Sequence, residues 1–308
     1  MKRILEAFPN EERELYLCSS DPDSADAIYL KKHKVVFVDG TAPHVFDPKY
    51  PGAVQEIINM GDFWNSGRLQ SQKEEIIAAH TDYSRYHIRC RRCLSAAAAV
   101  LSDTKQIAAD ALNYPKLDGF IMRLARKLLP QKSAAEGRMI FRQISAITPK
   151  GYITLLPEND TVYLLCDSYH SGSDYFLRSL AETVKQKGLT AEISLCTVHE
   201  GEHFEHMRIP ELALSFISST PINDISLAEK IPVNFMRFYG KDYLFGKKTR
   251  LKFNAAVAKE LQGEAEASLA SAKLAHDKLE QFYISSVDFD KIERLCDNFI
   301  EKIKSAEV

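Results

Sequence analysis

The sequence predicts an α/β protein that contains two copies of one unit, each with a parallel β-sheet and an α-helical arm. Short apolar segments recur along the chain at a nearly constant spacing. In the second half, an apolar run at Thr161–Cys166 precedes a polar loop and then an amphipathic stretch at Tyr175–Lys187. Continuous apolar strands that alternate with helices are typical of parallel sheets covered on both faces.

Composition excludes several classes of function. The chain has 308 residues, which is enough for about two domains. A net charge of −2 offers no basic surface for duplex nucleic acid, so nucleic acid is not expected as a partner. No apolar run approaches the roughly 20 residues of a membrane span, and the first residues show no signal-peptide pattern. With only six cysteines, we expect a cytoplasmic protein without a disulfide framework and without a membrane partner.

The tandem repeat is found by comparing the chain with itself. The aligned pairs share an apolar pattern at offsets of 176 to 178 residues: Met1–Phe8 with Leu177–Val184, Glu14–Ser19 with Glu192–Thr197, and Val35–Pro43 with Ala213–Pro221. A long helical stretch follows each copy. We therefore place the first unit at 1–136 with its arm at 68–130, and the second unit at 137–308 with its arm at 252–305.

The elements of the second unit can be predicted in order. The predicted strands are Arg138–Ile147, Thr161–Cys166, Glu192–Cys196 and Glu211–Phe216. Gly188 ends the intervening helix at Tyr175–Lys187, since glycine readily adopts the left-handed conformation that closes helices.

The loop between strand and helix in the second unit is where a nucleotide-binding protein of the P-loop type holds phosphate. That motif is G-x-x-x-x-G-K-[ST], whose backbone N–H groups and lysine bind the phosphates. The chain has Asp167–Asp174 in this place, and of the motif only Gly172 remains, as a candidate cofactor-binding residue. Ser173 replaces the lysine, so an intact nucleotide site is not expected here.

The first unit has the opposite pattern. By the repeat, Met1 falls beyond the position of a phosphate loop, so we expect this unit to lack the loop and its strands, with an unpaired apolar edge left in its sheet. Val35–Asp39, however, is four apolar residues and an aspartate, the pattern of a Walker B strand whose carboxylate helps to hold Mg²⁺. Asp39 is therefore a candidate metal ligand and catalytic residue; the alternative is a turn residue at the end of a strand.

Several segments resemble a functionally uncharacterised family of bacterial tandem P-loop ATPases. The matching stretches are Cys18–Ser24, Val38–Pro48, Pro51–Val54 and Ser145–Gly151. The resemblance spans nearly the whole chain and implies two P-loop NTPase-like units, with a phosphate loop ahead of the segment that resembles Met1–Phe8. It implies ATP and Mg²⁺ as cofactors, His44 as a second catalytic candidate, and Ser19 and Asp21 as residues that bind the cofactor or face the substrate.

Other motifs are interpreted as structural. His199–His203 matches the zinc-protease pattern H-E-x-x-H, but it follows a strand directly and contains a glycine, which favours a coincidental match in a loop. Cys90–Cys93 is a lone C-x-x-C on a predicted helix, which is more often structural than redox-active. The arginines near them at Arg85–Arg92 favour a solvated helix face over an anion site.

Two hypotheses of function follow. In the first, the protein is an ATPase or kinase-like enzyme whose first unit binds nucleotide, provided that an upstream phosphate loop exists. In the second, it is a non-catalytic pseudo-NTPase, a scaffold or regulatory protein whose arms bind an unidentified protein partner. The residues immediately upstream of Met1 distinguish the two.

Overall fold

The fold is described from a computed structural model, which covers residues 1–41, 45–130, 136–156, 158–198, 203–227 and 229–306. The helices are α1 (Lys2–Ala7), α2 (Ser66–Ser71), α3 (Lys73–Ala111), α4 (Tyr114–Leu128), α5 (Ser171–Gln186), α6 (Lys241–Gly246), α7 (Lys248–Ile284) and α8 (Phe289–Ser305). The strands are β1 (Arg13–Leu17), β2 (Ala25–Leu30), β3 (Val35–Val38), β4 (Arg138–Phe141), β5 (Ser145–Thr148), β6 (Gly151–Thr154), β7 (Thr161–Cys166), β8 (Thr190–Leu195), β9 (Phe204–Ile209), β10 (Leu214–Ser219) and β11 (Ile231–Asn234).

The chain divides into two compact units, and each is a mixture of helices and strands. The first unit comprises Met1–His87 and Leu269–Val308, and the second comprises Ile88–Ser268. The boundaries fall inside α3 and α7. The division of the sequence by its repeat, at 136/137, stays a prediction.

The second unit contains a six-stranded sheet in the order β11-β7-β10-β9-β8-β4. Three neighbouring pairs are parallel, but β9 is antiparallel to both β8 and β10. The prediction of an α/β class is confirmed, whereas a purely parallel sheet is wrong because β9 was not foreseen. Its sequence, Phe204–Ile209, mixes charged and apolar residues and therefore lacks the apolar run by which the other strands were recognised.

Element boundaries in this unit differ from the prediction, most clearly at three places. The strand predicted at Arg138–Ile147 is broken into β4 and β5. The strand predicted at Glu211–Phe216 begins later, because a 3₁₀ turn at Pro210–Leu212 comes first. Helix α5 begins at Ser171, so much of the predicted loop is the first helical turn. Its apolar face packs on the sheet through Phe176, Leu177 and Leu180, which are fully buried.

The first unit contains a three-stranded antiparallel sheet in the order β1-β2-β3. The prediction of a parallel sheet in this unit is wrong, because β2 lies between the two predicted strands and runs antiparallel to both. One face of the sheet packs against α1 and α8, in a small core with Ile4, Ile28, Leu30 and Ile300.

The two arms are helical, as predicted. The range 68–130 holds most of α2 and all of α3 and α4, and the range 252–305 holds most of α7 and all of α8. No helix in the part of the chain that the structure describes has the length and apolar composition to cross a membrane.

The arms correspond to one another residue by residue at an offset of 175. A 3₁₀ turn at Met60–Phe63 matches one at Phe235–Phe238, and the starts of α2, α3 and α4 match those of α6, α7 and α8. Asn59 caps the first turn by accepting from the Gly61 amide at 3.0 Å, and Asn234 caps the second from the Met236 amide at 2.9 Å.

Each arm begins in one unit and ends in the other. The first arm begins in the first unit and ends in the second, and the second arm begins in the second unit and ends in the first. In the second unit, Asn113 N donates to Phe238 O at 2.8 Å, and in the first unit Asp288 N donates to Phe63 O at 3.0 Å. These residues are equivalent at the offset of 175. Helix α4 thus packs against α5 in the second unit, while α8 packs against α1 in the first.

The sheets also correspond, through β1-β2-β3 and β8-β9-β10. Both are antiparallel, and both carry a β-bulge at equivalent places, Tyr16/Leu17 and Ser194/Leu195. Their strand registers coincide when β1 is shifted by 178 residues and β2 and β3 by 179. This alignment places Asp39 opposite Ser218, one residue beyond the position given by the sequence repeat.

Candidate functional site

The candidate phosphate site of the second unit lies where β7 ends and α5 begins. Strands β7, β10 and β11 are parallel, so their carboxyl ends meet at one edge of the sheet. In open α/β sheets ligands bind at this edge. Asp167 directly follows β7, and Gly172 and Ser173 lie in the first turn of α5.

The backbone amides of this turn donate hydrogen bonds to side chains of the protein itself. The Asp167 carboxylate accepts from Ser173 N at 2.8 Å and from Tyr169 N at 3.1 Å. The Tyr239 hydroxyl accepts from Gly172 N at 2.7 Å and donates to Asp167 Oδ1 at 2.9 Å. A buried carboxylate therefore takes the place that a phosphate occupies at a helix N-terminus. Burial, followed by the charge of Asp167, raises the pKa of Tyr239 far above its usual range, so the hydroxyl keeps its proton.

Gly172 has a packing role in this geometry. A Cβ atom at this position would lie 3.0 Å from both the Tyr239 hydroxyl and the Phe235 ring. The glycine therefore lets the 3₁₀ turn before α6 approach α5 closely. His170, just ahead of it, is buried and adopts a left-handed backbone with φ of 57°.

An internal ion network neutralises the second carboxylate of the turn. Asp174 accepts from Lys105 Nζ at 2.6 Å, from Arg178 Nε at 2.9 Å and from Phe204 N at 2.8 Å. His203 contacts both Lys105 and Asp174. Burial by itself raises the pKa of Asp174, but the hydrogen bond from His203 and the charge of Lys105 outweigh it and hold the pKa well below its usual range. Lys105 is thus committed to a protein carboxylate.

A second cluster of buried polar side chains is centred on Glu205 in β9. Its carboxyl contacts the Tyr152 hydroxyl at 2.5 Å and Asn223 Nδ2 at 2.5 Å. Burial raises the pKa of Glu205 to about 7.

The adjacent His206 is neutral. Ser218 N donates to its Nδ1 at 3.2 Å, so Nε2 carries the proton and donates to Ser145 Oγ at 2.8 Å. Burial lowers the pKa of His206 to about 3. A cavity of about 20 Å³ beside it has room for one water and none for a nucleotide.

The candidates in the first unit share one edge of its sheet. Strands β1 and β3 both run antiparallel to β2, so their carboxyl ends lie on the same side. Ser19 and Asp21 follow β1, and Asp39 follows β3. Asp39 is exposed and accepts from the amide and hydroxyl of Thr41 at 2.9 and 2.8 Å, the geometry of a turn residue.

The remaining candidates are placed as follows. Asp21 forms an ion pair with Lys273 at 3.5 Å, and Ser19 is exposed. His44 lies outside the described residues. Gly172 belongs to the second unit, so the structure does not bring it to the same sheet edge as Ser19, Asp21 and Asp39.

Two functional motifs of the sequence keep their structural interpretation. Residues 199–202 of the H-E-x-x-H pattern lie outside the described residues; His203 and His206 lie before and within a strand, where they hold the networks above. In the C-x-x-C pair, burial raises the pKa of Cys90 to about 11, which suppresses the reactive thiolate.

The residues that sequence analysis missed are Lys105 and Tyr239. Each acts on the turn from about 70 residues away, at separations of 69 and 67 along the chain. Only the repeat carried a signal: Tyr239 is equivalent to Trp64, and both follow a phenylalanine at the end of a 3₁₀ turn.

Comparison with known proteins supplies no relative: no protein-family model, no curated protein and no solved structure matches the chain.

Proposed function

We propose that the protein is a non-catalytic, partner-binding scaffold whose second unit is a degenerate P-loop NTPase-like unit. The observation that carries this proposal is that side chains of the protein occupy the candidate phosphate position. The amides of Gly172 and Ser173, which would bind phosphate in an NTPase, donate to Tyr239 and Asp167.

Electrostatics supports the same conclusion. Asp167 already places a negative charge at the N-terminus of α5, where the helix dipole favours one anion. A phosphate about 4 Å from that carboxylate would be repelled by about 4 kcal/mol at an effective dielectric constant of 20. The partly buried Lys105 is paired with Asp174 at 2.6 Å and therefore does not offset this repulsion.

The first unit supports the partner-binding part of the proposal. Large apolar side chains on its sheet and on the loop after β3 are exposed, among them Tyr16, Val36, Val38, Phe46 and Val54. Exposed apolar side chains concentrated in one part of a folded protein are typical of an interaction site.

The proposal is tested by titrating the full chain with Mg²⁺-ATP while the amide NMR signals of Gly172 and Ser173 are followed. We expect neither signal to shift at millimolar nucleotide. Inorganic phosphate serves as the matched control for weak anion binding. A saturable shift of both amides with ATP would show that this turn binds nucleotide and would overturn the assignment of the second unit as degenerate.

A second candidate function is Mg²⁺-dependent ATP hydrolysis in the first unit, completed by a phosphate loop from outside these 308 residues. It is favoured by the common sheet edge of Asp39, Ser19 and Asp21, together with the resemblance to tandem P-loop ATPases. The test is ATP hydrolysis by protein isolated from its own cells, with Asp39→Asn against the exposed control Asp82→Asn. We expect Asp39→Asn alone to lose activity; equal activity of the two variants would exclude this candidate.

A further inference from the structure

The outer edge of β3 offers unpaired backbone groups. Asp39 N donates to Asp26 O at 2.7 Å, and pairing alternates along an antiparallel ladder, so Val35 and Phe37 also direct their backbone groups toward β2. Val36 and Val38 therefore direct their N–H and C=O groups away from β2. Among the described residues, no strand pairs with that edge.

The second unit shows what fills the equivalent edge. Val36 and Val38 correspond to Ser215 and Ile217 of β10, which are paired in register with Val162 and Leu164 of the parallel strand β7. Ser215 and Ile217 are 0% and 1% exposed, whereas Val36 and Val38 are 52% and 47% exposed. The same backbone position is therefore covered in one unit and open in the other.

The strand on the far side of β7 also has a sequence equivalent in the first unit. In the second unit, β11 pairs with β7 on the side opposite β10. At the offset of 175, β11 corresponds to residues 56–59, which end in the same capping asparagine, Asn59. Residues 56–59 form no strand, and Ile57 and Ile58 are exposed. The sequence equivalent of β11 is therefore present but is not a strand, while the edge of β3 that corresponds to the β7 side of β10 is open.

We propose that the first unit is a strand acceptor: it binds, along β3, a parallel β-strand supplied by polypeptide from outside these 308 residues. The inference rests on the proposed partner-binding function and names the partner's chemistry. The strand β7 defines that chemistry, with about six residues that are apolar on both faces and buried, such as Tyr163, Leu164 and Leu165. Backbone hydrogen bonds to Val36 and Val38 provide affinity, and alternate side chains provide specificity.

A second copy of the chain fits this slot less well. Two β3 edges that meet about a twofold axis pair antiparallel, because a twofold interface brings the same patch of both copies together. The equivalent contact in the second unit is parallel. A parallel partner also enters at the Val35 end and leaves beside Asp39, at the edge where the candidate residues of the first unit lie.

The test uses an acetylated and amidated peptide with the sequence Asp160–Asp167, added to the full chain and followed by amide hydrogen exchange. We expect the amides of Val36 and Val38 to exchange at least tenfold more slowly with peptide, and those of Val35 and Phe37 to change little. The matched control peptide is N-methylated at Tyr163 and Leu165, which keeps its side chains but removes two donors. Equal protection by both peptides, or none at saturating peptide, would overturn the proposal.

Two variants locate the contact. Val38→Pro removes one outward N–H and is compatible with an edge strand, so it should abolish protection by the peptide, while Val38→Thr should retain it. Protection that grows with protein concentration in the absence of peptide would show self-pairing and would overturn an external strand. The readout is independent of the ATP titration: a shift of Gly172 with ATP would end the assignment of the second unit without affecting this result.

Discussion

The sheet β1-β2-β3 of the first unit and the strands β8-β9-β10 of the second share strand direction and register, but they differ in the exposure and polarity of the side chains on one face. The row Tyr16, Ala27 and Val38 in the first corresponds to the row Ser194, His206 and Ile217 in the second. The second row is buried, although two of its three members are polar. In the first row the two larger side chains are exposed, although they are hydrophobic.

The difference shows that neighbouring strands, rather than the strand's own pattern, decide what a sheet face must contain. In the second unit the hairpin β5-β6 contributes Ser145 as a hydrogen-bond partner for His206, and buried polar groups are stable when they are paired. In the first unit no described strand covers the equivalent face. An apolar surface without a cover is the state expected of a binding surface before it binds.

The largest expected effect is a difference in stability between substitutions at Phe216 and at its equivalent in the first unit, Phe37. Phe216 is fully buried, with its ring centroid 5.2 Å from that of Tyr163 and 5.7 Å from that of Phe176. Phe216→Ala should lower the free energy of unfolding by about 3–5 kcal/mol. Phe37 is half-buried, so Phe37→Ala should cost about 1–2 kcal/mol. Urea denaturation of both variants measures this; equal losses would mean that the sheet of the first unit is as well covered as that of the second.

The next effect is a pH dependence confined to the second unit. Burial raises the pKa of Glu205 to about 7, so the folded protein holds a proton that the unfolded chain releases above about pH 4. The contribution of this group to the free energy of unfolding is therefore fully present below about pH 4. It is lost as pH rises toward 7, by about 3 kcal/mol. Glu205→Gln cannot ionise and should be more stable than the native protein by about that amount at pH 8 and equal to it at pH 4. Urea midpoints across this range test it, and parallel profiles for both proteins would refute it.

A smaller effect tests the hydrogen bonds that occupy the turn between β7 and α5. Tyr239→Phe removes the hydroxyl between Gly172 and Asp167 and leaves a buried amide unpaired, which should cost about 1–3 kcal/mol. The equivalent residue, Trp64, is 42% exposed, and Trp64→Phe should change the unfolding free energy far less. Thermal melts of the two variants make the comparison; similar losses would show that the hydroxyl contributes little to holding this turn.

Sequence analysis succeeded where the signal was local. The apolar run of β7 and the helical arms were predicted closely, since each depends on residues near one another in the chain. The strands β2 and β9 were not predicted, because their patterns mix charged and apolar residues that are buried only by partners distant in sequence.

The candidate site was less predictable for the same reason. Asp167 and Asp174 lie in the loop that was compared with a phosphate loop, but their partners are distant in sequence: Lys105 lies on α3, and Tyr239 follows the 3₁₀ turn at Phe235–Phe238. A lysine on a distant helix and a tyrosine after a distant 3₁₀ turn carry no sequence pattern that links them to this loop. The roles of Asp39, Ser19, Asp21 and His44 in nucleotide binding stay predictions.

The smallest effect should be equal in the two repeats. Asn59 and Asn234 each accept from the backbone amide two residues on, at 3.0 and 2.9 Å, and each begins a 3₁₀ turn that leads to a short helix. Replacing a capping asparagine by alanine costs about 1 kcal/mol. Because these caps rest on the backbone shared by the repeats, Asn59→Ala and Asn234→Ala should lower the urea midpoint to a similar extent. Asn65→Ala is the control. Asn65 caps α2 by accepting from Arg68 N, and the residue equivalent to Asn65 in the second repeat is Gly240, which has no capping side chain. Equal losses of stability at Asn59 and Asn234 would indicate that the two repeats differ mainly in the elements that cover their sheets. A much larger loss at Asn234 would show that the repeats also differ in the turns that join sheet and arm.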